Sequence, residues 1–241
     1  MKKTILFILT IMLSPIILLS QTDSIRQLRL YYDNQLLFSH DAGLIDSINF
    51  AWVEVDQHQY VDLGLSVKWA TCNVGATHPE DYGDYFAWGE VDAKNMYSCD
   101  NYKWCDNESG AIVKYNANDY TQTVLLYADD AASVQWGGKW RMPTKEEQNE
   151  LINNCTWQWT NQNGVNGYRV IGNNGNSIFL PAAGCLYENT LYSDGLHGSY
   201  WSNSVGSDNS YYAYEFGFSS GFVYLSYYIR CSGQSIRPVH P

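Results

Sequence analysis

Two neighbouring runs near the C-terminus, Tyr211–Phe218 and Phe222–Cys231, alternate residue by residue and are separated only by Ser219-Ser220-Gly221. Alternation of this kind belongs to extended chain, because successive side chains point to opposite faces of a strand. The pattern predicts an antiparallel hairpin. In the second run Val223, Leu225, Tyr227, Ile229 and Cys231 share one face, and Phe222, Tyr224, Ser226, Tyr228 and Arg230 the other. In the first run Tyr212, Tyr214, Phe216 and Phe218 oppose Tyr211, Ala213 and Glu215. Both strands carry more aromatic residues than one core face needs. The chain as a whole holds 20 Tyr, 9 Trp and 8 Phe in 241 residues.

Short strand-like runs separated by Gly, Asn and Asp fill most of the chain after Gln59: Ser66–Cys72, Asp84–Glu90, Tyr168–Ile171, Ser177–Leu180, Ser199–Asn203 and Ser235–Val239. Two helices are expected. One spans Asp129–Gln135 with an acidic N-cap. The other spans Lys145–Asn154, where Thr144 and Glu147 have the spacing of a capping box, each side chain satisfying the other's backbone donor. Residues 92–122 are polar and irregular, a long loop or insertion. Ahead of this region, Leu28–Tyr32, the turn residues Asp33-Asn34, Leu36–Phe38 and Ile45–Phe50 predict a small β unit, with 51–58 as a connector. The fold class is α+β, with short antiparallel strands, two helices and long loops.

At the N-terminus Lys2 and Lys3 precede an apolar run, Ile5–Leu19, too short to span a bilayer, which takes about 20 residues. It reads as a secretory signal peptide over residues 1–20, cut near Ser20–Gln21, so the chain is expected to be exported to the periplasm, the cell surface or the medium. No cysteine follows it before Cys72, so a lipoprotein anchor is not expected there. No other segment is apolar enough to cross a membrane, so an integral membrane protein is not expected. The net charge of −11 excludes a nucleic-acid binder, which needs a basic face. In an oxidising compartment the six cysteines, Cys72, Cys99, Cys105, Cys155, Cys185 and Cys231, read as disulfide partners, with 15 pairings open. Cys99 and Cys105 sit in one loop.

Ordered blocks carry a family resemblance: Tyr60–Ala76 (YVDLGLSVKWATCNVGA), Tyr82–Glu90 (YGDYFAWGE), Trp136–Thr144 (WGGKWRMPT), Phe179–Gly184 (FLPAAG), Tyr200–Ser202 (YWS) and Ser235–Val239 (SIRPV), with Ile45–Phe50 (IDSINF) standing ahead of them. They resemble the Fibrobacter succinogenes major paralogous domain, over roughly residues 59–241, and the short β segment that precedes it in exported Bacteroidetes proteins. The resemblance implies a C-type-lectin-like fold, related to formylglycine-generating-enzyme-like domains, on an exported protein. It supplies no catalytic residues. Its scaffold implies Cys72–Cys155 and Cys185–Cys231 as pairs, leaving Cys99–Cys105. The chain departs from the family at Cys185–Tyr192 and at the Gly217–Gly221 tip.

Several chemistries are weighed against the residues. Gly217-Phe218-Ser219-Ser220-Gly221 matches G-x-S-x-G, but a nucleophile elbow needs a helix after the serine, and a strand is expected here. His197 with Asp194 reads as an exposed loop pair. Asp81, Asp84 and Glu90 are candidate paired carboxylates, more simply turn caps. No cofactor is expected. Calcium is possible at Asp106-Asn107-Glu108 or Asp129-Asp130, hard oxygen ligands without EF-hand spacing. The calcium triplets of sugar-binding C-type lectins are absent, with only Trp201-Ser202-Asn203 as an echo. The best supported reading is a non-catalytic binding surface for a glycan or a surface protein, rich in Tyr, Ser and Asn. Its candidates are Tyr187, Tyr192, Tyr200, Trp201, Asn203, Tyr211, Tyr224 and Tyr228. The alternative is a structural or assembly component of the cell surface; a hydrolase ranks third.

Overall fold

The computed structural model describes residues 27–32, 35–41, 58–106, 108–116, 122–206 and 211–241. The expected leader, the strand at 45–50, the connector to 57 and the turn residues Asp33-Asn34 lie outside the described residues. The chain divides into two compact units, Met1–Glu54 and Val55–Pro241. In the first, β1 (Gln27–Tyr32) pairs antiparallel with β2 (Gln35–Asp41), the hairpin expected from the alternation.

The second unit is a mixed α+β assembly of small antiparallel sheets and two helices. β3 (Tyr60–Val61) and β4 (Lys68–Ala70) pair with each other, and β4 also pairs with β13 (Val239–His240), 169 residues downstream of Ala70. β5 (Thr156–Gln162), β6 (Val165–Ile171) and β7 (Ser177–Pro181) form a second sheet. β8 (Cys185–Tyr187) and β9 (Thr190–Tyr192) form a short hairpin. β10 (His197–Val205), β11 (Tyr212–Ser219) and β12 (Phe222–Ile229) form the fourth sheet of this unit, in that order. Among the described residues no helix is long and apolar enough to cross a membrane.

The helices begin where short polar side chains can take up free backbone donors. Asp130 caps α1 (Ala131–Trp136) by accepting from Ser133 N at 2.9 Å. Ahead of α2 (Lys145–Asn154) the capping box is closed in both directions: Thr144 Oγ1 accepts from Glu147 N at 3.2 Å, and Glu147 Oε2 from Thr144 N at 2.8 Å. Arg141 donates two bonds to the same Glu147 carboxylate. Thr144→Ala is expected to cost about 1 kcal/mol, a fall in Tm of about 2–4 °C, read by thermal melting. No loss would mean that Arg141 and Glu147 hold the helix start without the threonine.

The β10–β11 strands are buried on both faces, and that decides the core. Tyr200, Phe216 and Phe218 point to one side, where Leu151 of α2, Val170, Leu180, Trp69 and Val239 meet them. Trp201 and Ala213 point to the other, against Phe86, Trp88, Met142 and Ile236. The polar tips in these layers are bonded: Tyr200 OH donates to Pro181 O (2.7 Å), Trp201 Nε1 to Phe86 O (2.8 Å) and Trp88 Nε1 to Ser202 O (2.8 Å). A third cluster joins Ala87, Tyr97, Tyr102, Ile112 and Cys231 beneath the 92–112 segment. That segment is tied down rather than loose. Tyr97 and Glu188 exchange backbone bonds of 2.8 and 2.7 Å, and Tyr102 OH donates to Trp88 O at 2.6 Å.

Two buried arginines join distant parts of the chain. Arg230 stacks over the Trp88 ring at 4.5 Å and donates to the carbonyls of Lys114 (3.1 Å) and Tyr115 (2.5 Å). Arg237 donates to Asn73 Oδ1 (2.8 Å), Ala70 O (3.0 Å) and Thr71 O (2.7 Å). The expected disulfide pairing is not what the structure shows. All six cysteines are thiols. The thiol that Cys231 engages is Cys99, not Cys185. Cys72 lies by Thr71 and Cys155 by Glu150.

Candidate functional site

The hairpin register fixes which aromatic residues share a face. Ser219 pairs with Phe222, Gly217 with Tyr224, Glu215 with Ser226 and Ala213 with Tyr228. Directly paired residues of antiparallel strands project to the same side. Phe222, Tyr224, Ser226 and Tyr228 therefore line one face of β12, above Ser219, Gly217, Glu215 and Ala213 of β11. The opposite face begins in the core with Phe216 and Phe218 and ends in Tyr212, Tyr214 and Tyr227, with Lys145 over the Tyr214 ring.

The β12 aromatic face is open. Phe222 is 59% exposed, Tyr224 36% and Tyr228 41%. The Phe222 and Tyr224 rings lie 5.7 Å apart at 31°. Tyr224 lies flat across the sheet because nothing stands beneath it: a Cβ on Gly217 would sit 2.6 Å from its ring and hydroxyl. The β8–β9 hairpin brings a second set. Cys185 pairs with Tyr192 and Tyr187 with Thr190, so these four share a face. Tyr187 and Tyr192 are exposed. Cys185 lies near both Tyr224 and Tyr228, and Tyr187 near Tyr228, so the two faces neighbour each other.

Glu215 lies under this surface and is almost fully buried. Its Oε2 has no partner, and the neighbouring Gln234 amide favours the carboxylate without closing a well-formed hydrogen bond. Burial is the dominant influence and pushes the carboxyl up to about 8. The group is therefore mostly a neutral acid at pH 7. A folded-state pKa raised above the unfolded value of 4.5 stabilises the fold fully below pH 4.5. That stabilisation is lost as pH rises towards 8, because the unfolded chain releases the proton first. Each tenfold difference in proton affinity between the folded and unfolded chain corresponds to about 1.4 kcal/mol, so a few kcal/mol are at stake. Glu215→Gln is expected to flatten the stability profile between pH 5 and 8 and to make the protein more stable than the parent at pH 9, measured by denaturant unfolding. Parallel profiles would mean that Glu215 is ionised in the fold.

Of the eight sequence candidates, the structure brings Tyr187, Tyr192, Tyr224 and Tyr228 to this surface. Three are corrected. Tyr200 and Trp201 are fully buried and Asn203 nearly so. β10 has core on both sides, and Asn203 exchanges its backbone with Pro143 and Leu125. Tyr211 is exposed but donates to Gly110 O at 2.9 Å, tied to the 106–111 turn. Arg230, placed on the open face by alternation, is buried instead. Sequence reasoning misses Phe222 and Glu215. Phe222 has the same period-two phase as Tyr224 and Tyr228, and Glu215 is an acid between Tyr214 and Phe216.

The other candidates are engaged elsewhere. Gly217–Gly221 is a hairpin tip, with Ser219 and Phe222 paired across it and a strand on both sides. His197 and Asp194 are both exposed. Asp81 caps the Thr77–His78 turn, Asp84 packs against the Gly75 backbone, and Glu90 pairs with Lys94 at 2.7 Å. Asp106 accepts from Ser109; Asn107 lies outside the described residues. Asp129 accepts from Lys114 and Tyr115. Burial pushes its carboxyl up, and those bonds outweigh it, so the net shift is downward. Asp130 caps α1 and accepts from Met142 N at 2.9 Å. Among the described residues no three His, Cys, Asp or Glu converge as a metal site.

A family model described as a domain of unknown function, DUF8237, matches residues 143–239. The matched span runs from the start of α2 to β13 and contains the whole aromatic surface. No curated protein and no solved structure matches the chain.

Proposed function

We propose that the Val55–Pro241 unit is a non-catalytic binding module of an exported protein, taking a glycan on the aromatic surface of β12 and β8–β9. One observation carries the reading: Phe222, Tyr224 and Tyr228 stand open on a single sheet face beside Tyr187 and Tyr192, over a floor that includes the neutral acid Glu215. Aromatic faces stack on the C–H faces of sugar rings, and the phenol and serine hydroxyls meet sugar hydroxyls. Tyrosine gives this contact area at low entropic cost. The exposed group is confined to strand and hairpin positions held by backbone ladders, so the surface is preorganised. The Lys2–Leu19 pattern supports export, and the ordered sequence blocks support a C-type-lectin-like arrangement of the unit.

The test is a glycan array probed with the full chain, with and without EDTA. A reproducible saturable hit supports the reading, and loss of that hit in EDTA adds calcium to the site. A blank array overturns the glycan. It moves the surface to a protein partner when pull-down from outer-surface extracts depends on Tyr224 and Tyr228, and to assembly when the chain instead self-associates with concentration.

A further inference from the structure

Three segments that are far apart in sequence lie side by side below the aromatic surface. Tyr97 exchanges two backbone bonds with Glu188, of 2.8 and 2.7 Å, and Leu186 exchanges two of 2.8 Å with Gly233. This ladder places the single turn at Cys99–Asn101 next to the chain just past β12. One cysteine pair lies 2.6 Å apart, and Cys231 engages Cys99 side chain to side chain. Cys231 is buried among Ala87, Tyr97, Tyr102 and Ile112, with Cys99 packed against that cluster. Cys105, the near neighbour of Cys99 in sequence, packs against the same cluster with its sulfur turned to Gly110 O at 3.5 Å.

We infer that Cys99 and Cys231 form a disulfide under oxidising conditions, fastening the 92–112 segment to the base of the aromatic surface. The meeting of the two thiols does not depend on the bond, since the Tyr97–Glu188 and Leu186–Gly233 ladder already aligns their backbones. The oxidant is a small-molecule disulfide of the glutathione class. The more accessible Cys99, as thiolate, attacks one sulfur of oxidised glutathione and releases one glutathione thiolate, leaving a mixed disulfide. The Cys231 thiolate then attacks the Cys99 sulfur and releases the second. Two protein thiols are oxidised, one glutathione disulfide is reduced, and the two protons end on the two glutathione thiols. The bond closes a loop of about 130 residues, the regime in which a cross-link most restricts the unfolded chain.

The full chain is equilibrated in oxidised and reduced glutathione, quenched in acid, alkylated and digested without reduction for mass spectrometry. The expected product joins the peptides of Cys99 and Cys231, and it is absent from Cys99→Ser. Reduction is expected to lower the Tm of the parent by about 5–15 °C more than it lowers that of Cys99→Ser. A Cys99–Cys105 or Cys185–Cys231 product, or alkylated Cys99 and Cys231 at an oxidising ratio, overturns the inference. So does an equal effect of reductant on parent and variant.

Discussion

Trp201→Ala is expected to leave little or no folded protein at 37 °C. The indole is fully buried between Phe86, Trp88, Met142 and Ile236, and its Nε1 donates to Phe86 O at 2.8 Å. Truncating a core tryptophan costs about 3–5 kcal/mol through lost burial and the cavity left behind. The Phe86 carbonyl keeps its bond from Gln234 N at 3.0 Å, so loss of the indole donor adds about 0.5–1.5 kcal/mol. The sum approaches the whole stability of an ordinary domain, about 5–15 kcal/mol. Thermal melting with near-ultraviolet circular dichroism reads the outcome. A variant that melts like the parent yet loses its ligand would return Trp201 to the binding surface and move β10 out of the core.

The second large effect runs the other way. Tyr224→Ser with Tyr228→Ser is expected to abolish ligand capture while the protein stays folded. If each ring contributes as a binding hot spot does, about 2 kcal/mol, the pair weakens binding roughly a thousandfold. Both rings are half-exposed, so the stability cost is below that of Trp201, a Tm fall of less than about 8 °C. The array ligand giving the strongest signal with the parent serves as probe, and melting is measured on the same preparation. Unfolding of the double variant would show that the rings complete the core. Unchanged binding by a folded variant would empty this surface of function.

Parts of this surface are legible in the sequence because they depend on local phase alone. The alternation across Phe222–Ile229 places Tyr224 and Tyr228 together whatever the rest of the chain does, and the Thr144/Glu147 spacing marks the start of α2 to the residue. Composition misplaces Tyr200 and Trp201 because it says which residues suit a binding surface, not whether both sides of their strand are covered. β10 is covered on both, by α2 on one side and by the 86–88 segment on the other. β8 and β9 have three residues each, too few for a period to show. β5 escapes notice although Trp157 and Trp159 alternate with Gln158 and Thr160, since its exposed face is wholly polar. Arg230 and the Cys99–Cys231 contact depend on neighbours more than 110 positions away, and no local pattern carries that information.

The pairing of β4 with β13 also governs the order in which this unit can be made. Ala70 N donates to Pro238 O (2.9 Å), Val74 N to Ile236 O (3.0 Å), and Arg237 grips the Ala70–Asn73 stretch. A chain that emerges N-terminus first, from a ribosome or a translocation channel, must therefore carry Leu63 and Trp69 uncovered until Val239 arrives to cover them. High contact order of this kind makes folding slow and late. The unit stays threadable through its own synthesis, and for that interval it depends on whatever shields its unfinished apolar surface.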